Sequence, residues 1–375
     1  MEITCEEPKG KRSSFRWCCV KSSSINLVSK PKGWSGSVCE LKMKQSEFIP
    51  LTLITGFLGS GKTTIIKNLL QREELSKTAV IINEFGEIGL DHHFIETSDE
   101  DLVELSTGCL CCVMRGDLQE AIARLLKKRE AGWLFDRIIL ETTGMADPAP
   151  IIQSLVLDKI SAPKVILDRV LVTVDSVTGL KSISEFEECS RQVAFGDILL
   201  LTKTDLVENV EGSLEKELMH INNNAEIFKS DFGIIDLELV VGEYKRQTIA
   251  FTENEIDKHS HSHSHSDIMS VSLYFETPIH AVTLTLFLEL LAEVLGSDLI
   301  RLKGFVYIKE APETPAVVHG VQHIFHPIAW HQSWPYEKKE TQLVLIGRSI
   351  SLPWVRAILE TIEEEVEEIT RQNEN

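Results

Sequence analysis

The chain predicts an α/β architecture: a mainly parallel sheet with crossover helices, followed by a smaller α+β domain. Three observations carry that expectation. Short apolar runs rich in β-branched residues alternate with stretches of helical periodicity from residue 48 to about residue 201, the pattern of repeated βαβ units. A glycine-rich turn joins the first run to the first helical stretch. A polar, His-rich tract at 247–267 then interrupts the periodicity, and strands and helices resume beyond it in another order.

Taken in order, FIPLTLIT at 48–55 reads as a strand and 61–72 as the helix after the turn. Further strands are expected at 78–82, 136–140, 169–174 and 197–201, with a helix at 114–128. Runs this apolar suit strands covered on both faces. Past the His tract, strands are expected at 268–275, 304–308, 316–325 and 341–346, and helices at 284–295 and 352–371, the last acidic on its exposed face. The chain thus divides into a variable extension at 1–46, a parallel-sheet domain at 47–246, a His-rich linker at 247–267 and a C-terminal α+β domain at 268–375.

Composition narrows the function. The formal net charge is −19, with 43% hydrophobic and 25% charged residues. Phosphate backbones demand an excess of Lys and Arg, so a general nucleic-acid partner is not expected. No apolar run is long enough to span a bilayer, so no membrane partner is expected either. An acidic surface mildly favours cations as cargo, although solubility alone is the plainer account of it.

The extension at 1–46 carries nine Lys/Arg against four Glu, and four of the eight cysteines (Cys5, Cys18, Cys19, Cys39). It lacks the apolar core of a secretory signal. Glu2, Glu6 and Glu7 count against an organellar transit peptide, and Met43 lies just before the first strand. The cysteines are not spaced as a disulfide framework, so a reducing, cytoplasmic setting is expected, with the thiols left for metal or redox chemistry.

Residues 56–63, GFLGSGKT, match GxxxxGK[ST] between a strand and a helix. Gly56, Gly59 and Gly61 let the backbone, with Ser60 and Thr64 beside them, curl into a nest of N–H groups around phosphate. The helix N-terminus adds partial positive charge. Lys62 is expected to reach the β and γ phosphates, and the Thr63 hydroxyl to hold Mg²⁺. Glu141 ends a buried strand in IILETTG, where a carboxylate holds the metal through water or orients the attacking water; a helix N-cap is the plainer alternative. Gly144 is placed to offer a backbone amide to the γ-phosphate. Residues 202–205, TKTD, follow a strand where a guanine-reading NKxD segment is expected. Asp205 would accept from the guanine N1–H and 2-amino groups, and the Lys203 stem would pack on the ring. Thr202 stands in place of Asn, which leaves some ATP tolerance open.

GCLCC at 108–112 sets Cys109, Cys111 and Cys112 within four residues. Thiolates suit Zn²⁺, and Co²⁺ or Ni²⁺ after it. A tight turn would let all three meet one ion and leave a fourth position for a recipient. Packing cysteines and a redox pair are the alternatives. His259, His261, His263 and His265 alternate with serine along the linker and form a second, looser metal candidate, or a solvated linker with incidental His. His92, His93, His319, His323 and His326 are given structural roles by default.

With these sites in this order, the chain resembles the CobW-like metallochaperone GTPases from about residue 50 to beyond 350. The resemblance rests on GFLGSGKTT (56–64), NEFGEIGLD (83–91), GCLCC, ETTGMADP (141–148) and TKTD, and on RLKGFVYI, GVQHIFHP and LVLIGR further on. It implies slow GTP hydrolysis with Mg²⁺, a metal at Cys109, Cys111 and Cys112, and a switch near the γ-phosphate at 83–91, within which Glu87 and Asp91 are candidates to contact the metal or Mg²⁺. It also implies nucleotide-controlled transfer to a client metalloprotein. The extension lacks the acidic, Pro-containing docking segment of eukaryotic relatives that deliver zinc to methionine aminopeptidase, so the client's identity stays open, as does the oligomeric state. Three rivals remain. A small-molecule P-loop kinase leaves the cysteines unexplained. Cobalt or nickel insertion for cofactor or metalloenzyme assembly lies within the same family. A metal buffer with a structural nucleotide site would bind metal regardless of GTP.

Overall fold

The computed structural model describes residues 48–82, 102–104, 110–113, 118–158, 164–207, 212–241 and 267–374. The extension, the segment 83–91 with Glu87 and Asp91, His92, His93, Cys109 and the His tract lie outside these residues.

The first sheet is built from β1 (Ile49–Gly56), β2 (Thr78–Ile82), β3 (Leu102–Glu104), β4 (Leu110–Val113), β5 (Arg137–Glu141), β6 (Val165–Asp175), β7 (Ile198–Thr202) and β8 (Glu226–Ser230). Their order is β3-β4-β2-β5-β1-β6-β7-β8, and every neighbouring pair is parallel except β3 with β4. The helices between them are α1 (Lys62–Leu70), α2 (Leu118–Glu130), α3 (Pro148–Leu157), α4 (Gly179–Glu185), α5 (Glu187–Phe195), α6 (Ser213–Ile221) and α7 (Glu238–Val241).

Strand alternation divides the core between the two faces of the sheet. Leu51, Leu53, Ile81, Ile138 and Leu140 pack with residues of α2, α3 and α5. Ile54, Val80, Ile139, Leu171 and Leu200 pack with Ile65, Ile66 and Leu69 of α1 and Leu239 and Val240 of α7. Because β1 lies between β5 and β6, its C-terminal end opens where connections leave the sheet in different directions, the usual ligand crevice of such folds.

The C-terminal domain is a second, antiparallel sheet. It holds β9 (Ile268–Phe275), β10 (Leu299–Val306), β11 (Ala316–Val321), β12 (Ile324–Phe325), β13 (Ala329–Trp330) and β14 (Thr341–Arg348), with helices α8 (Ala281–Leu295) and α9 (Leu352–Glu374). Leu273, Leu302, Leu343 and Leu345 pack with Phe287, Leu288 and Leu291 of α8 and Val355 and Leu359 of α9. Ile268, Ile300, Val321, Val344 and Ile346 instead join the core of the first sheet's α5 side. The second sheet is therefore covered by its own helices on one face and by the first domain on the other.

Strands at 78–82 and 268–275 coincide with expectation. Three expectations are corrected. The run 316–325 is two strands, because the chain turns at Gln322 (φ 54°) and β12 folds back antiparallel on β11. β10 begins at Leu299 rather than at 304, since Leu299, Arg301 and Leu302 already pair with β14. The cysteine segment at 110–113 is strand and not turn: Leu110, Cys111, Cys112 and Val113 pair with 79–82 of β2 on one side, and Leu110 to Cys112 with β3 on the other.

Candidate nucleotide site and the cysteine strand

At the C-terminal end of β1, a side chain on Gly56 (φ 142°) would put its Cβ 2.2 Å from the Thr173 hydroxyl and 2.4 Å from the Thr173 carbonyl oxygen. Only glycine permits that approach. Gly59 (φ 70°) and Gly61 (φ 94°) are left-handed, and no described heavy atom lies within 4 Å of a Cβ built on Gly59. Gly61 is the N-cap of α1, so the amides of Lys62, Thr63 and Thr64 open the helix without partners in its own ladder. The result is a ring of donors at a helix N-terminus, suited to phosphate.

The loop is braced from behind. The buried Ser60 hydroxyl donates to the Phe57 carbonyl at 2.7 Å and lies 2.6 Å from the Thr173 hydroxyl. Thr202 donates to the Ser60 carbonyl at 2.8 Å. The departure from Asn at this position thus serves the phosphate loop, and the residue is 3% exposed.

Lys62, also buried, donates through Nζ to the carbonyls of Gly56 and Phe57 at 2.8 and 3.0 Å. Thr63 donates from its hydroxyl to Glu141 Oε1 at 3.0 Å. Glu141 is 5% exposed at the end of β5. Thr142 ties that end to β1, its amide donating to the Ile54 carbonyl at 3.1 Å and its hydroxyl to the Thr55 hydroxyl at 2.7 Å. A Cβ on Gly144 would stand 2.7 Å from the Leu58 nitrogen, so the loop after Glu141 lies directly on the phosphate loop. Two oxygen donors in contact, one anionic, fit a hard divalent cation such as Mg²⁺.

At the other end of the crevice, Lys203 (φ 57°) donates to Asp175 Oδ2 at 2.7 Å, and Asp205 is exposed one turn on. Burial works to raise the Asp175 carboxyl. The Lys203 ammonium and the Val177 and Thr178 amides outweigh it and hold the group below the ordinary carboxylate range. The loop after β8 closes beside Asp205. Thr204 bonds Asp231, Asn68 donates to the Phe232 carbonyl at 3.0 Å, and Gly233 has no room for a Cβ beside Thr64. Sequence reading missed Asp175, Asp231 and Gln192. Only the strand-end position of Asp175 and Asp231 offered a signal.

Cys111 and Cys112 are in register with Val80 and Ile81, which are in register with Ile139 and Leu140. The cysteine strand is therefore two strands from the one that ends in Glu141. Among the described residues no three His, Cys, Asp or Glu gather as a ligand set. His319 and His326 meet at 6.2 Å between ring centroids, and His326 also donates its amide to the His319 carbonyl at 2.9 Å. No described helix is long and apolar enough to cross a membrane.

A phosphate nest with its lysine, hydroxyl and strand-end carboxylate on a parallel sheet defines a P-loop nucleotide-binding protein. Residues 50–229 match the CobW/HypB/UreG nucleotide-binding domain, and residues 268–363 match the cobalamin synthesis protein CobW C-terminal domain. The chain belongs to the CobW family. It is 32% identical over 314 residues to the zinc chaperone YjiA of Escherichia coli (strain K12), covering 82% of this chain and 97% of that protein. It is 26% identical over 352 residues to the zinc-regulated GTPase metalloprotein activator 1 of Dictyostelium discoideum, covering 82% and 71%. The crystal structure of the Zn(II)-bound YjiA GTPase from E. coli superposes with a TM-score of 0.69 at 31% identity, covering 84% of this chain and 99% of that one.

Proposed function

We propose that the chain is a GTP-hydrolysing metallochaperone that holds a transition metal, zinc first, at Cys109, Cys111 and Cys112 and gives it to a client metalloprotein under nucleotide control. The observation that carries the reading is the adjacency within one sheet of the cysteine strand β4, the buried strand β2 and the Glu141 strand β5. The relatives named as zinc chaperones and zinc-regulated GTPases support zinc over cobalt or nickel.

In this reading the amides from Gly59 to Thr64 bind the phosphates, with Gly56 shaping the loop and Lys62 moving its ammonium from two carbonyls to the β and γ oxygens. Thr63 and Glu141 would hold Mg²⁺, which when bound supplies charge neutralisation between the phosphates. Glu141 also orients the attacking water, and the Gly144 amide faces the γ-phosphate. Asp205 reads guanine and Lys203 packs along the base, its ammonium kept in place by Asp175. His259, His261, His263 and His265 serve as a loose collector for the same metal, as alternate imidazoles on a polar tract suit rapid exchange. A reducing compartment such as the cytosol keeps the thiols free to bind.

Coupling requires that the GTP and GDP states differ in metal affinity, and about 1–3 kcal/mol, roughly 5- to 150-fold, is ordinary. The test is a Zn²⁺ titration of the full chain with GTP, GDP or no nucleotide, following affinity and turnover together. Affinity should depend on the nucleotide and disappear when Cys109, Cys111 and Cys112 are all replaced by Ser, with GTP binding retained. Metal affinity that ignores nucleotide would make the chain a GTPase with a separate metal store.

A further inference from the structure

Helix α5 grips the loop after Glu141 through adjacent residues. Arg191 donates from Nε and Nη2 to Asp147 Oδ2 at 3.0 and 2.7 Å. Gln192, 1% exposed, donates from Nε2 to the carbonyl oxygens of Gly144 at 3.1 Å and Ala146 at 3.0 Å. Its Oε1 is buried and accepts no hydrogen bond among the described residues. The side chain borders a cleft shared with Phe57, Leu58, Thr173 and Cys189, behind the phosphate loop.

A buried acceptor without a donor is unfavourable, and folded proteins keep few of them. Packing alone gives no reason for glutamine here, since a leucine would fill similar space and bury no unpaired amide oxygen, but it would take the donor away from the Gly144 and Ala146 carbonyls. The donors of the same amide, in contrast, are both engaged. They hold two carbonyls in one short loop, and each held carbonyl fixes its whole peptide plane. One of those planes begins at Gly144, which lies against Leu58 with no room for a Cβ. The orientation of this loop and that of the phosphate loop are therefore set together.

We propose that Gln192 is a positioning residue for nucleotide turnover. Its Nε2 sets the peptide planes that follow Gly144 and Ala146, and its Oε1 is the acceptor that takes a backbone N–H of the same loop when the loop shifts between nucleotide states. The proposal rests on the nucleotide reading above. It adds that helix α5, far along the chain, decides how the Gly144 loop meets the γ-phosphate.

The test compares the full chain with Gln192→Leu, which loses donor and acceptor, and Gln192→Glu, which keeps acceptor oxygens but sets a carboxyl group against the two carbonyls in place of the donors. Two neutral hydrogen bonds set the scale: kcat should fall about tenfold or more in both variants, with GDP affinity within about threefold of the parent. Amide exchange at 144–149 should quicken, with β1 and α1 unchanged. Unaltered kcat in both variants would overturn the proposal. So would parallel loss of kcat, GDP affinity and melting temperature, the signature of packing alone. Should the leucine variant fail to fold, the parent decides: protection at 144–149 must differ between GDP and a non-hydrolysable GTP analogue, and equal protection overturns the proposal. A parent that binds no GTP sinks the nucleotide reading itself, whereas a parent that turns over GTP no faster than its variants sinks only the role of Gln192.

Discussion

Lys62 shows how a single side chain can be read twice. In the sequence it is the cation of a phosphate motif; in the fold it is a buried ammonium shared between the Gly56 and Phe57 carbonyls. Those two bonds offset the burial of the charge and keep the side chain folded over its own loop. Lys62→Ala should lower GTP turnover by about 10²–10³-fold, the scale of one lost transition-state donor, while Zn²⁺ affinity stays. Normal turnover in a steady-state GTPase assay would remove Lys62 from the site. Asp205 is the matching case for the base. A site that hydrogen-bonds a polar edge rejects analogues lacking it, so Asp205→Ala should bring GTP and ATP affinities together in a competition binding assay. Retained preference for GTP would move base reading elsewhere, with Asp231 the next residue to examine.

At the scale of elements, the phosphate loop depends on β6 and β7 as much as on β1. Thr173 and Thr202 occupy the space behind it and meet Ser60 and Gly56. Gly56→Ala would force a Cβ into the Thr173 backbone at a φ that L residues seldom adopt. A loss of about 1–3 kcal/mol in unfolding free energy is expected, with nucleotide affinity falling alongside. A denaturant titration with and without GDP checks it, and an unchanged midpoint would mean the loop relaxes freely. Burial and nearby Glu188 push the Cys189 thiol on α5 up to about 12, so it stays protonated near neutral pH.

For the whole molecule, the joint between the domains is a partly buried ion cluster on a hydrophobic contact. Asp197 accepts from Arg301 at 2.5 Å and Lys303 at 2.8 Å, and its other oxygen accepts from the Val170 amide at 2.9 Å. Burial opposes the charge, but Arg301 and Lys303 outweigh it and hold the carboxyl far below its ordinary range. Arg301 also bonds the Phe195 carbonyl at the end of α5, and Arg348 bonds Glu187 at its start. Asp197→Ala should cost about 3 kcal/mol by leaving two cations without their common partner, and calorimetry should show the C-terminal domain melting earlier. An unaltered melting profile would mean that apolar contact alone fixes the joint.

His326 lies near the same joint, and burial with Arg301 nearby lowers its pKa from 6.5 to about 4. The unfolded chain then binds the proton more readily than the folded one. Stability from the neutral imidazole is complete above pH 6.5 and is lost as pH falls toward about 4. His326→Gln should flatten the fall in melting temperature over that window. An equally steep fall would assign it to other groups.

Much of this protein was legible in one dimension. Apolar, β-branched runs such as LTLIT and TAVII record burial on both faces, which only a covered strand provides, so the parallel sheet could be read directly. The phosphate loop was equally plain, because its chemistry needs glycines, a lysine and a hydroxyl at fixed short spacing within one strand–turn–helix. Pairings across long stretches of chain were not readable. Strand order brought Thr202 under Ser60, Asp175 to Lys203, Gln192 to the Gly144 loop and Asp197 between two cations of another domain. The split at Gln322 and the strand character of Cys111 and Cys112 came from hydrogen-bonding partners, since neither residue type demands that backbone by itself. Local periodicity reports what each segment buries; only the assembled sheet decides which distant group meets it, because those contacts depend on topology and not on spacing.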